Sequence, residues 1–238
     1  MDIKDKILNY IIKNKVSTTE VADAMGKTGL VEGVSPLNIG DYKAGYVRVC
    51  FAWDNTNYNV HEDFKKIQED EIVLVCCYKF HGVAVLGEVM AKYALTYQQV
   101  KALVVLGKIR DVSRLYKEAY PIWSEGFTPI GCNNLKESFT LPLDFKQSML
   151  EKYDKGIAVC DDSGVVVIPF KYLNEDMLER LYLIEIQEDI WNYSLNTLGW
   201  NTKEIVSDKR YYEEESLFPK ELSKHFKLLK KGFSKKQI

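Results

Sequence analysis

Two uninterrupted apolar runs, Ile72 to Cys77 and Ala102 to Leu106, constrain this chain more than any other feature. Runs of this length, bounded by turn residues, read as strands buried on both faces. Helical patterns separate them. One helix is expected near His61 to Gln68, a second from Glu88 to about Gln98, and a third from Arg110 to Ala119. A short strand, Pro121-Ile-Trp123, follows and ends at Gly126. This order predicts an α/β domain with partly parallel strands joined by short crossovers.

The flanking segments extend the pattern. Ile3, Ile7, Leu8, Ile11 and Ile12 mark an amphipathic helix over residues 2–14. Ser17-Thr-Thr-Glu20 forms a capping box that opens a second helix through Met25. After a turn-rich stretch from Gly33 to Gly45, Tyr46 to Phe51 reads as a strand, and Tyr78 to Gly87 as a loop. Residues 133–155 lack a clear period and are expected to connect to a hairpin. Its strands are Ile157–Cys160 and Val165–Ile168, joined by Asp161-Asp-Ser-Gly164. A long helix is expected from Asn174 to Leu195, with Met177, Leu178, Leu181, Ile184 and Ile190 apolar. Residues 1–200 are taken as one α/β domain and 201–238 as a charged, helical extension.

Composition excludes some functions. With 32 Lys and Arg against 34 Asp and Glu, the net charge of −2 gives no long-range field that selects nucleic acid. The five cysteines include no CxxC pair, which fits a reduced, cytoplasmic protein. Charges interrupt the amino-terminal residues, and no apolar run reaches the roughly 18 residues of a spanning helix, so a soluble, unprocessed chain with no membrane role is expected. Seven lysines fall in the last 19 residues: Lys220, Lys224, Lys227, Lys230, Lys231, Lys235 and Lys236. They alternate with Phe226, Leu228, Leu229 and Phe233 and read as a solvated terminal helix, the alternative being a contact with RNA, membrane or a partner.

The chemistry centres on two dipeptides. Gly87-Glu88-Val89-Met90 opens a helix, where unpaired amides and the positive dipole end suit a carboxylate. Gly107-Lys-Ile-Arg110-Asp111 ends the next strand, so parallel pairing brings Arg110 and Asp111 to the same sheet edge as Gly87. A guanidinium there holds a carboxylate or a developing enolate oxygen, and an adjacent Asp binds a hard divalent cation. The competing reading of Asp111 is a helix cap. Among other candidates, His61 reads as an interface or helix-start residue, while His81 is placed to meet a substrate's second carboxylate. Asp161-Asp162 reads as turn geometry, Asp23 as a salt link, and His225 as a tail residue without a role.

These residues also resemble the RraA-like proteins, over roughly residues 16–200. The resemblance rests on Ser17-Thr-Thr-Glu-Val-Ala-Asp-Ala24, Gly87-Glu88 with Arg110-Asp111, Pro121-Ile-Trp-Ser-Glu-Gly126 with Thr128-Pro129, and Asp161-Asp-Ser-Gly-Val-Val-Val-Ile-Pro169. It implies a three-layer swivelling α/β sandwich with helical ends, assembled as a trimer or a dimer of trimers. It implies a metal-dependent lyase cleaving a carbon–carbon bond of a 2-oxo acid, by retro-aldol cleavage or decarboxylation. Arg110 would steady a pyruvate-like enolate, Asp111 would bind Mg²⁺ or Mn²⁺, and the amides of Val89 and Met90 beside Gly87 would hold the substrate carboxylate. Glu88 would orient a proton-relaying water, and Glu188, from a neighbouring subunit, would reach the metal's waters. The family also includes an inhibitor of ribonuclease E, so a non-catalytic regulator is the alternative, as is a biosynthetic enzyme for another hydroxy or oxo acid. Four departures stand out, one being that Met149-Leu-Glu-Lys-Tyr-Asp-Lys155 replaces the glycine-rich turn before the Ile157 strand. One extra residue separates Glu88 from Arg110, placed in the Thr96–Gln99 loop. The acid that often ends the preceding strand is missing from Cys76-Cys77-Tyr78. The Asp usual before Gly107 is Leu106.

Overall fold

A computed structural model describes residues 1–234, with side chains to residue 230. Contacts divide the chain into two compact units, residues 1–174 and 175–238.

The first unit opens with α1 (Ile3–Asn14) and α2 (Thr18–Ala24), followed by β1 (Ser35–Pro36) and β2 (Lys43–Trp53). Next come α3 (Tyr58–Phe64), β3 (Ile72–Tyr78), β4 (Ala84–Leu86) and α4 (Glu88–Lys92), then β5 (Ala102–Ile109) and α5 (Val112–Lys117). The unit closes with β6 (Ile122–Phe127), α6 (Leu143–Tyr153), β7 (Ile157–Asp161) and β8 (Gly164–Ile168). All strands join one eight-stranded mixed sheet in the order β1-β6-β5-β3-β2-β7-β8, with β4 paired to β5 off this path. The central pairs β2–β3, β3–β5 and β5–β6 are parallel. β7 and β8 form the expected antiparallel hairpin.

Successive side chains of a strand point to opposite faces, and here both faces are covered. Val73, Val75, Leu103 and Val105 pack on one side against Val60 and Phe64 of α3, Met90 of α4 and Leu115 of α5. Ile72, Leu74, Cys76 and Val104 pack on the other against Ala158, Cys160, Val165 and Val167 of the hairpin, with Phe145, Met149 and Leu150 of α6 at the margin. Two dry faces explain why the apolar runs are uninterrupted, and the result is the three-layer α/β arrangement.

The capping box is present with both bonds: the Glu20 amide donates to Ser17 Oγ at 3.2 Å, and the Ser17 amide to Glu20 Oε2 at 2.6 Å. Asp161 ties this helix to the hairpin. Its carboxylate accepts from the Thr18 amide, from the Thr18 hydroxyl and from the Ser163 amide, each at 2.8 Å. Asp161-Asp162 is therefore structural, with Asp162 accepting from the Gly40 amide at 2.7 Å. Asp161→Ala is expected to lower the unfolding free energy by about 1.5–3 kcal/mol, because hydrogen bonds to a charged group are lost together. A urea midpoint equal to that of the parent would contradict this.

Three expectations need correction. Tyr78 to Gly87 is not all loop, because Ala84–Leu86 adds a short parallel strand beside β5. Residues 133–155 contain α6, whose Phe145, Met149 and Tyr153 recur every fourth residue and face the sheet. The second helix ends at Ala24, one residue short of Met25.

The helix after Gly87 changes form along its length. Tyr93–Tyr97 is a π-helical turn, closed by the Gln98 amide donating to the Tyr93 carbonyl at 3.0 Å. A π turn holds one residue more than an α turn.

The second unit begins with α7 (Glu175–Asn196) and ends with α8 (Lys220–Ser223) and α9 (Phe226–Ser234). Its core gathers Leu183, Ile186 and Ile190 of α7 with Trp200, Tyr211, Phe218, Phe226 and Leu229. Lys230 donates to Glu215 at 2.8 Å, and Lys220, Lys224 and Lys227 are exposed. Lys235 and Lys236 lie outside the described residues, as do the side chains of Lys231 and Phe233. Among the described residues, no helix is long and apolar enough to cross a membrane.

Candidate active site

Parallel pairing of β4 with β5 brings the two dipeptides together. Leu86 lies beside Ile109, and the Arg110 amide donates to the Leu86 carbonyl at 3.0 Å, so Gly87 and Arg110 leave the sheet at one edge. The ladders of β5 to β4 and β6 shift register near Lys108, a bulge of the kind that re-aims side chains at strand ends.

Asp111 occupies the N-cap position of α5 with left-handed backbone, φ 61° and ψ 29°, but its side chain makes no capping bond. The carboxylate turns instead to the neighbouring helix, where Oδ2 accepts from the Glu88 amide at 3.1 Å. Arg110 Nε lies 3.8 Å from the same oxygen. Glu88 is held in turn by Arg114, with Nη1 2.6 Å from Oε2. Two carboxylates, each beside one guanidinium, therefore gather at this edge.

Missing β-carbons create the space for this group. A Cβ on Gly87 would lie 2.5 Å from Asp111 Oδ2 and 3.1 Å from Arg110 Cγ, and a Cβ on Gly131 would overlap Arg110 Nη1. Gly131 is brought there by the segment after β6, which pairs with Ala84: the Ala84 amide donates to Ile130 at 2.8 Å and the Cys132 amide to Ala84 at 3.0 Å. Arg110 is thereby flanked by two residues that have no side chain.

A cavity of about 160 Å³ opens onto these residues, lined by Gly87, Glu88, Val89, Met90, Arg110 and Asp111 together with Asn57, His61, Cys132 and Asn134. Val89 is exposed and Met90 buried, and at the first turn of a helix their amides have no partner within the helix. Asn57 is buried; its Nδ2 donates to the Val85 carbonyl at 3.1 Å, while Oδ1 has no hydrogen-bond partner among the described residues. Burial pushes the Cys132 thiol above its ordinary value, against smaller opposing pulls from backbone hydrogen bonds and Arg110. The thiol is therefore a neutral part of the wall at pH 7.

The structure thus brings together Gly87, Glu88, Val89, Met90, Arg110 and Asp111. It places His81 elsewhere, in a second cavity, and puts His61 of α3 in the wall of the first. Asp23 lines a separate cleft between α2 and β8. Glu188 sits on α7 in the second unit, partly buried. Asn57, Gly131, Cys132 and Asn134 were not singled out from the sequence. The Asn55, Asn57, Asn59 cluster was a signal, although it reads equally as a polar loop.

The residues at this edge suit a hard divalent cation of one kind. Among the described residues, no group of three or more His, Cys, Asp and Glu side chains forms a ready-made cage. Mg²⁺ keeps several waters and commonly takes only one or two protein carboxylates. Asp111 is partly exposed, at 41%, and fits that role because its carboxylate makes no bond to its own helix and takes one amide, that of Glu88, through Oδ2.

The family model for RraA-like proteins, described as Aldolase/RraA, matches residues 18–167. Solved structures agree in fold. An uncharacterized protein from Pseudomonas syringae pv. tomato str. DC3000 superposes with a TM-score of 0.65 at 19% identity, covering 84% of this chain and 96% of that one. Streptomyces coelicolor RraAS2, described as an unusual member of the RNase ES inhibitor RraA protein family, gives 0.61 at 19% identity over 78% and 96%. A Geobacillus kaustophilus HTA426 protein, described as S-adenosylmethionine:2-dimethylmenaquinone methyltransferase, gives 0.53 at 16% identity over 64% and 94%. Identities this low show shared architecture alone, and one architecture does not select one activity. With the family match spanning most of the sheet and both dipeptides of the cavity, this chain belongs to the RraA-like family.

Proposed function

We propose that this protein is a metal-dependent lyase that cleaves a carbon–carbon bond of a 2-oxo acid. The observation that carries this reading is Asp111, which occupies a helix cap position without capping and presents its carboxylate beside Arg110 in the cavity. Its Oδ2 accepts from the Glu88 amide at the start of α4, and the carboxylate lies partly exposed in the cavity wall beside Arg110.

Each residue has an assigned part. Arg110 holds the 2-oxo acid and balances the negative charge that builds on its keto oxygen as the bond breaks. The amides of Val89 and Met90 donate to the substrate carboxylate. In retro-aldol cleavage the hydroxyl proton of the substrate leaves, its carbon–oxygen bond becomes a carbonyl, and the electron pair of the broken bond enters the enolate. Glu88, fixed by Arg114 at 2.6 Å, orients the water that carries this proton and later returns one to carbon. In decarboxylation the same electron pair arrives as CO₂ departs. A divalent cation at Asp111 would supply Lewis-acid polarisation of the substrate oxygens. Glu188 of a neighbouring copy in a trimer is the acid assigned to that cation's waters. The family also contains non-catalytic ribonuclease inhibitors, and that function would not need Arg110 and Asp111 side by side.

The test is release of pyruvate from oxaloacetate and from 4-hydroxy-4-methyl-2-oxoglutarate, each with Mg²⁺ or with EDTA. Metal-dependent release from either is expected. No release from both, together with no Mn²⁺ bound by the parent protein, would overturn the assignment for these substrates.

A further inference from the structure

The family match ends at residue 167 and the second unit begins at residue 175, so this unit lies outside the matched region. Helical spacing carries on from α8 into α9: the Lys224 amide donates to the Lys220 carbonyl at 3.2 Å and the Leu229 amide to the His225 carbonyl at 3.0 Å. Phe226 and Leu229 are fully buried in the unit's core and are therefore not available to a bilayer. Lys220, Lys224 and Lys227 are all exposed, and spacings of four and three residues put them on one face. None of the three joins an ion pair among the described residues, and Glu221 is the only acid between Lys220 and Lys227. Four of the five acids from residue 204 to residue 215 are held by other cations: Glu204 and Glu214 by Arg210, Asp208 by Lys203, and Glu215 by Lys230. An aromatic pair adjoins the lysines. The His225 ring packs edge to face against Tyr182 of α7, with centroids 5.7 Å and planes 79° apart, and Tyr182 is 38% exposed. Burial, helped by the Lys224 charge, holds the His225 imidazole below its ordinary value, so this ring is neutral at pH 7.

We propose that this face binds single-stranded nucleic acid without reading its sequence, the three ammonium groups meeting phosphates and the Tyr182 ring stacking on a base. A row of unpaired ammonium groups suits a chain of phosphates. An exposed ring beside that row suits an unpaired base, which neither a lipid headgroup nor a closed duplex offers. The net charge of −2 gives the whole chain no field to gather nucleic acid from a distance, so the contact is short in range and steeply dependent on salt. It does not depend on the lyase reaction.

The test is fluorescence anisotropy of a labelled, mixed-sequence RNA oligonucleotide, single-stranded or paired with its complement, titrated with full-length protein at several salt concentrations. Binding of the single strand is expected, with log K falling against log salt at a slope of about −2, the value for three phosphates on a single strand. Replacing Lys220, Lys224 and Lys227 together by glutamine is expected to abolish it. Should that variant not fold, Lys224→Gln alone is expected to flatten the slope by about 0.7. Tyr182→Leu is expected to weaken single-strand binding at least about fivefold, the lower end for one stacked base, while leaving the slope and the duplex affinity unchanged. Mixed phosphatidylserine and phosphatidylcholine vesicles are expected not to sediment the protein. No single-strand binding, binding indifferent to the lysine substitutions, an equal effect of Tyr182→Leu on duplex and single strand, or lysine-dependent capture by the vesicles instead would overturn the proposal.

Discussion

Replacing Arg110 by alanine is expected to lower pyruvate release by about 10²–10³-fold, the usual consequence of deleting one donor aimed at a developing oxyanion. The fold should tolerate the change. The Arg110 side chain is 49% exposed and its ion pair with Asp111 is long, at 3.8 Å, so little stability rests on it. Arg110→Lys is not expected to restore activity, because an ammonium lacks the planar fork that grips two oxygens at once. Steady-state kinetics of both variants on oxaloacetate, alongside urea unfolding, separate chemistry from stability. Unchanged turnover in Arg110→Ala would remove the guanidinium from the mechanism.

Gly131→Ala should produce nearly the same loss without altering a single charged residue. The added methyl would overlap Arg110 Nη1, the far end of a flexible side chain, so the arginine yields and the backbone does not. The unfolding free energy is therefore expected to change by less than about 1 kcal/mol. Displacing a catalytic group by about 1 Å can cost 10²-fold in rate, and a fall of that order is expected here. A variant with parental activity would show that Arg110 works in a position other than the one it occupies between Gly87 and Gly131. Gly87→Ala makes a harsher companion, since its methyl meets both Asp111 and the stem of Arg110.

The contrast between these two glycines shows what the chain reveals before folding. Gly87 was legible because it stands between a strand and a helix, a place with known consequences for backbone amides. Gly131 lies in a stretch with no periodic signal, and its value depends on an arginine 21 residues earlier in the chain. The central strands were readable because burial on both faces removes polar residues altogether. β4 was not, since three residues offer no period and owe their conformation to pairing with β5. Among the histidines, nearness in sequence favoured His81, whereas His61 reaches the cavity from α3. Sequence distance to Gly87 was a poor guide because the loop before β4 serves a different cavity from the one β4 itself lines.

The left-handed backbone at Asp111 has a consequence for how this site can decay. Most side chains resist that conformation by about 1–2 kcal/mol, while Asp, Asn and Gly enter it readily. Position 111 is thus filtered twice, once by the chemistry of a carboxylate and once by the shape of the main chain. A descendant released from catalysis would still feel the second filter, and would drift first to Asn or Gly. Under the proposed lyase function, asparagine or glycine at this position in a relative would mark a lineage that kept the architecture without the reaction.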